Sequence, residues 1–317
     1  MRHQRFILLG ILGLTAVLLL AFLFNWWPGL RGGYGWRWPY FQPTLSQLPR
    51  LWPALLALLV YLAGLYVLWR RPAWMFVLWC FGGALFVPVA LLYWWGEPLE
   101  LLFARTVSGM TTGGFAVALQ VQDAADMLAR WPSLMPTWEA MSSHMVVSPP
   151  GWPLLYHALM AWGERLPAWS TVAGMAVRPL ACDNIPLMDR SNAQLAAAWL
   201  GMAAPMWAAL TVFPFYGLVR QAAGAKTARW AIAWWPLIPS LSVFLATLNS
   251  PYPLVAVTIV WLLWAGLTNV HWRAAVWQMG LAGALTAVAI LFSFAFVPLL
   301  LFAGLLALIV NWKEPEE

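Results

Sequence analysis

Long uncharged apolar runs, separated by short polar or basic connections, dominate the chain. A hydrocarbon core about 30 Å thick takes roughly 20 consecutive apolar residues as a helix. Eight stretches free of Asp, Glu, Lys and Arg meet or approach that length: 6–24, 52–69, 73–95, 195–219, 230–248, 252–268, 275–292 and 294–312. The last four come as two long runs. Asn249-Ser250-Pro251 splits one, and the neighbourhood of Ser293 to Pro298 splits the other. The pattern predicts an all-α integral membrane protein of about eight transmembrane helices, a single polytopic domain over 1–317, with a long exterior segment containing short helices.

The basic residues orient this arrangement. Arg2, Arg5, Arg70, Arg71, Arg220, Lys226, Arg229, Arg273 and Lys313 fall on one side when eight spans alternate, and an excess of Lys and Arg marks the cytoplasmic side. Both termini then face the cytoplasm, while 25–51 and 96–194 face the exterior, as expected for a multi-pass protein of a prokaryotic inner membrane. The first run follows two arginines but continues into Asn25-Trp26-Trp27-Pro28 without a small-residue cleavage site, so it reads as an uncleaved anchor. A further apolar stretch, 152–162, is too short to cross. It reads as re-entrant or interfacial, or as one arm of a compact hairpin completed by 167–180.

Composition agrees. Of 317 residues, 63% are hydrophobic and 9% charged, against about 25% charged in soluble domains; a soluble fold, a disordered chain and a disulfide-stapled secreted domain are excluded. Many of the 25 tryptophans lie at span ends, where an amphipathic ring prefers the headgroup zone. The net charge of +6 is scattered over the ends of apolar runs and forms no stripe for nucleic acid. Cys80 and Cys182 have no metal-ligand spacing and stand too far apart in sequence to suggest a bridge.

Every Asp and Glu outside the C-terminal tail lies between Glu97 and Asp189, so chemistry belongs to the second exterior segment. The candidates are Glu97, Glu100, Asp123, Asp126, Glu139, Glu164, Asp183 and Asp189, with Arg105, Arg130, Arg165, Arg178 and Arg190 as anion partners. Asp126 and Arg130 have the spacing of a helix-surface ion pair. Thr111-Thr112-Gly113-Gly114-Phe115 reads as a glycine turn, and the residues after it fit a helix or a strand. The densest signal is Ser142-Ser143-His144-Met145-Val146-Val147-Ser148-Pro149-Pro150-Gly151-Trp152-Pro153-Leu154-Leu155-Tyr156, a polar, rigid elbow where the chain meets the bilayer.

This elbow resembles the His-Pro-Pro-Gly-aromatic-Pro-Leu-Leu motif of the GT-C glycosyltransferase superfamily, the polytopic enzymes similar to protein O-mannosyltransferases and aminoarabinose transferases. Pro149, Pro150, Gly151, Trp152, Pro153, Leu154 and Leu155 match; Ser148 stands where the family has His. The resemblance implies a membrane glycosyltransferase that moves a sugar from a polyprenyl-phosphate donor to an acceptor on the exterior face, with membrane lipid and the lipid-linked sugar as partners. Some members use a divalent metal. The family places an acidic base in the first exterior loop, but residues 25–50 contain no Asp or Glu. Deprotonating a hydroxyl needs a carboxylate or histidine, so the expectation moves to Glu139 and His144, which approach the elbow in sequence. Arg31, Arg37 and Arg105 are the expected lipid-phosphate clamp, and Ser148, Pro149, Pro150, Gly151, Trp152, Tyr156 and His157 the expected substrate wall. A non-catalytic GT-C-like protein that binds or transports a lipid or glycolipid is the alternative. Ion-coupled transport would put ionisable residues in mid-span, and only His157 comes near that.

Overall fold

A computed structural model describes residues 2–32, 45–182, 184–245 and 247–312. Among them there is helix and no strand. The chain divides into two compact units, 1–49 and 50–317. In the first, α1 (Arg2–Leu23) is apolar and outward-facing along most of its length. Asn25 adopts a positive φ of 51°, and a short 3₁₀ turn, Pro28–Arg31, follows.

The second unit begins with α2 (Trp52–Leu68) and α3 (Ala73–Leu92). Short helices follow: α4 (Pro98–Val107), α5 (Gly114–Ala118), α6 (Ala124–Leu134), α7 (Gly151–Arg165), α8 (Pro167–Val177) and α9 (Ile185–Met188). A nearly continuous helical stretch then comprises α10 (Asn192–Ala196), α11 (Trp199–Met202), α12 (Ala204–Leu210) and α13 (Val212–Ala223). The remainder is α14 (Ala225–Trp234), α15 (Pro239–Val243), α16 (Tyr252–Leu267), α17 (Trp272–Phe292) and α18 (Val297–Trp312). Local signals set the ends. Asp123 caps α6 by accepting the amides of Ala125 and Asp126, Ser191 and Gln194 form a capping box on α10, and Gly224 breaks α13 from α14 with φ of 85°.

Four stretches are long and apolar enough to cross a membrane: Ser46–Leu68, Ala73–Leu92, Asn192–Ala223 and Trp272–Phe292. Leu9–Phe22, Tyr252–Leu267 and Phe294–Val310 are shorter apolar helices.

The expected span 230–248 is not one helix. The α-helix starts at Ala225, Pro236 lies in a 3₁₀ turn, Ile238 is extended, and Pro239 opens the five-residue α15. A count of uncharged residues cannot see this, whereas a proline inside a helix removes a hydrogen bond and clashes with the preceding turn. From Ala225 to Leu237 the helical rise amounts to about 20 Å, short of a bilayer core. Carbonyls freed by the break find donors elsewhere. Arg105 Nη1 donates to Leu245 O at 2.9 Å and to Val243 O at 3.4 Å, while Ser250 and Thr247 hydroxyls donate to Phe244 O at 2.9 and 2.7 Å. Buried backbone polar groups need such partners, above all in an apolar surround.

Three apolar cores result. One joins α3 to α12 and α14 through Phe76, Cys80, Ala84, Ala208, Ala209 and Ile232, with alanines letting the backbones approach. A second joins α16, α17 and the turn before α18 through Ile259, Ala282, Ala289 and Phe296. The largest is centred on Phe115, Tyr156, Val177 and Leu195 and binds α4 to α8 onto α10 and α11. The segment between α3 and α10 is therefore packed, through a core it shares with α10, α11 and Leu245 and Leu248.

Candidate active site

The glycine turn and the elbow, distant in sequence, pack on each other. Gly113 takes φ of 71°, a conformation that disfavours any Cβ, and any side chain there would collide with Ser142. A Cβ on Gly114 would stand 3.0 Å from the Trp152 Cβ and 3.6 Å from Tyr156 Cε2. Phe115 meets Tyr156 edge to face, with centroids 5.5 Å apart. Below, Trp152 Nε1 donates to Tyr252 Oη at 3.1 Å, and Tyr252 Oη donates to Phe292 O at 3.3 Å. Trp131 Nε1 donates to Ser148 O at 3.0 Å from the outer side.

This packing changes the role of the elbow. Pro149, Pro150, Gly151, Trp152 and Tyr156 are buried, and Trp152 borders an apolar cavity of about 280 Å³ with Leu155, Tyr252, Val255 and Phe292. The Ser148 hydroxyl is spent on His144 O at 2.6 Å, and His157 is half-buried. The elbow is a structural junction between α7 and the ends of α16 and α17, and no residue from 148 to 157 lines the polar cavity described below.

Glu139 and His144, expected as catalytic, are both exposed and lie outside that cavity. The chain from Met141 to Met145 turns Ser142 and Met145 inward against Gly113 and leaves these two side chains outside. Arg105 is not aimed at a phosphate by its Nη1, which holds the carbonyls of the broken segment; burial draws its pKa below the ordinary value. Arg31 ends the 3₁₀ turn of the first unit, and Arg37 lies outside the described residues, as does Asp183. Asp126 and Arg130 form an ion pair on α6. Arg178 is taken up by Asn192 Oδ1 at 2.6 Å and by the carbonyls of Met188 and Arg190, while Glu164, Arg165 and Asp189 are exposed.

The polar cavity, about 830 Å³, is built by α4 and the turn after it, the end of α5, Met141, and the chain from Pro179 to Arg190. Its polar lining includes Glu97, Glu100, Ser108, Gln120, Asn184 and Arg190, and Leu101, Phe103, Leu119 and Leu187 supply the apolar floor. Glu97 is the N-cap residue of α4 and Glu100 lies in its first turn, a spacing that puts both carboxylates on one side of the helix start. Arg190 has its stem fixed by an Nε donation to Pro186 O at 3.1 Å. Glu97 and Glu100 are as exposed as Glu139 and differ from it in lining this cavity; among the described residues the one carboxylate held in an ion pair is Asp126. Sequence reading held Glu97, Glu100 and Arg190 only as members of longer sets. The acid–Pro–X–acid order of Glu97-Pro98-Leu99-Glu100, with proline at a helix start, is the signal that singles out the first two.

The resemblance allows a divalent metal. Among the described residues, no group of three or more His, Cys, Asp and Glu side chains is placed to hold one. No protein-family model, curated protein or solved structure matches the chain.

Proposed function

We propose that the chain is a membrane glycosyltransferase of GT-C type, which transfers a sugar from a polyprenyl-phosphate donor to a hydroxyl acceptor in the cavity beneath α4. The observation that carries this reading is that Glu97, Glu100 and Arg190 all line one 830 Å³ cavity. Cavities of this size take a sugar and its phosphate. In the reaction the acceptor oxygen bonds to the anomeric carbon as the bond from that carbon to the phosphate oxygen breaks. One of the two carboxylates takes the acceptor proton. The leaving polyprenyl phosphate gains the electron pair, and Arg190, always cationic and able to bind two oxygens at once, meets its charge. With the cavity on the exterior side, donor and acceptor meet at the membrane surface.

The test is a donor panel. Purified protein in nanodiscs is incubated with radiolabelled polyprenyl-phosphate hexoses, pentoses and amino sugars plus a lipid and glycan acceptor extract. Label moves to a new product with at least one donor. Donor binding with no transfer across the panel would instead indicate a lipid-binding protein without this chemistry.

A further inference from the structure

The eleven residues of α8, Pro-Ala-Trp-Ser-Thr-Val-Ala-Gly-Met-Ala-Val, contain no charge. One side is fully occupied. Ser170, Gly174 and Val177 are buried, Gly174 packs so tightly on Asn192 that any Cβ would strike its backbone, and Trp199 Nε1 donates to Ala173 O at 2.9 Å. The opposite side is open. Val172 is 75% exposed and Met175 60%, with Trp169 and Leu166 each at 40%. Trp169, Val172 and Met175 recur at i, i+3 and i+6 and share a face. A helix facing water carries polar side chains there, and one that is apolar all round is covered.

The neighbouring elements say what covers it. α8 lies against Asn192 to Trp199, the beginning of the 32-residue stretch Asn192–Ala223. That stretch rises roughly 48 Å as helix, well over a hydrocarbon core of about 30 Å, and its polar start, Ser191-Asn192-Ala193-Gln194, suits the headgroup level. α8 itself rises only about 16 Å and cannot cross. Trp162 packs against Trp169 with centroids 5.1 Å apart, and tryptophan favours this depth. Arg165 is exposed immediately before the helix, and Arg178 follows it.

We infer that α8 lies in the interfacial layer of the bilayer leaflet at the Asn192 end, with Leu166, Trp169, Val172 and Met175 immersed among acyl chains and Arg165 at the anionic headgroups. The chain leaving α8 runs directly into Pro179, Leu180 and the cavity wall, so this immersion holds the rim of the polar cavity at the membrane surface. The inference needs the membrane spans but not sugar transfer.

Site-directed spin labelling of the full chain in phosphatidylcholine–phosphatidylglycerol vesicles tests it. In a Cys182→Ser background, with Cys80 buried, single labels go on Val172→Cys and Met175→Cys. Val288→Cys in α17 and Asp126→Cys in α6 mark lipid and water. Collision rates with oxygen and with a water-soluble nickel chelate are compared. Labels at 172 and 175 are expected to favour oxygen several-fold over the chelate, at a depth between the two references. A chelate accessibility equal to that at 126 would overturn the inference. Shielding from both reagents would overturn it in favour of a protein cover. An aqueous signal at 288 would overturn the membrane reading with it, whereas failed sugar transfer leaves these accessibilities unchanged.

Discussion

A Cβ on Gly151 would stand 2.5 Å from the carbonyl oxygen of Leu291, so the first residue of α7 is pressed directly onto the last turns of α17. This contact, with the Trp152–Tyr252–Phe292 hydrogen bonds beside it, joins the body between α3 and α10 to the apolar helices.

Gly151→Ala is therefore expected to destabilise the protein by about 1–3 kcal/mol, the usual cost of forcing a methyl into a filled site. Gly82, inside α3, has nothing within 4 Å of a built Cβ, and Gly82→Ala should leave the thermal midpoint in detergent unchanged or raised. Equal loss at both positions would show that the junction is not tight.

Trp152 and Tyr252 should behave as a coupled pair. Trp152→Phe and Tyr252→Phe each remove one partner of a 3.1 Å hydrogen bond, and a double-mutant cycle on thermal or denaturant unfolding should give a coupling of about 0.5–1.5 kcal/mol. Strict additivity would contradict the contact.

Arg105 is expected to act through the backbone of the broken segment. Arg105→Met leaves the carbonyl of the buried Leu245 short of a donor, which costs about 1–3 kcal/mol. Hydrogen exchange over 239–248 should quicken, and Arg105→Lys should restore part of the protection. A rise in donor KM with unchanged exchange would return Arg105 to the phosphate clamp.

On α6 the two acids differ. Asp123 caps the helix, and Asp123→Ala should cost about 1 kcal/mol. The Arg130 guanidinium, hydrogen-bonded to Asp126, holds that carboxyl below its ordinary value. What the pair adds to stability is thus fully present above the usual carboxylate range and is lost progressively as pH falls from that range through the lowered value. Both side chains are solvent-screened, so Asp126→Asn should move the acid unfolding midpoint only slightly. A large shift would mean the pair is not exposed.

Apolar run length made the helical, membrane-compatible character legible, because an uncharged run of 17 to 25 residues has few alternatives to helix. It failed over 230–248, where Pro236 and Pro239 outweigh the absence of charge. Between α3 and α10 the pattern indicates a segment containing short helices but not how they pack. The core they share with α10, Phe115 with Tyr156 and Leu195, is assembled from short helices whose periodicity is too brief to read. The elbow was legible as a rigid element, but rigidity served packing. Glu139 and His144 were favoured for their distance along the chain, whereas α4 carries Glu97 and Glu100 to the cavity that Arg190 reaches from the far end of the same segment.

Single-turnover sugar transfer by four variants, once a donor is known, tests the central claim most directly. Glu97→Gln or Glu100→Gln should lower the chemical rate by about 100-fold or more, as loss of a general base does, with folding and donor binding intact, while Glu139→Gln and His144→Ala stay within about twofold of the parent. Full activity in both cavity variants, with the loss falling on Glu139 or His144, would contradict it.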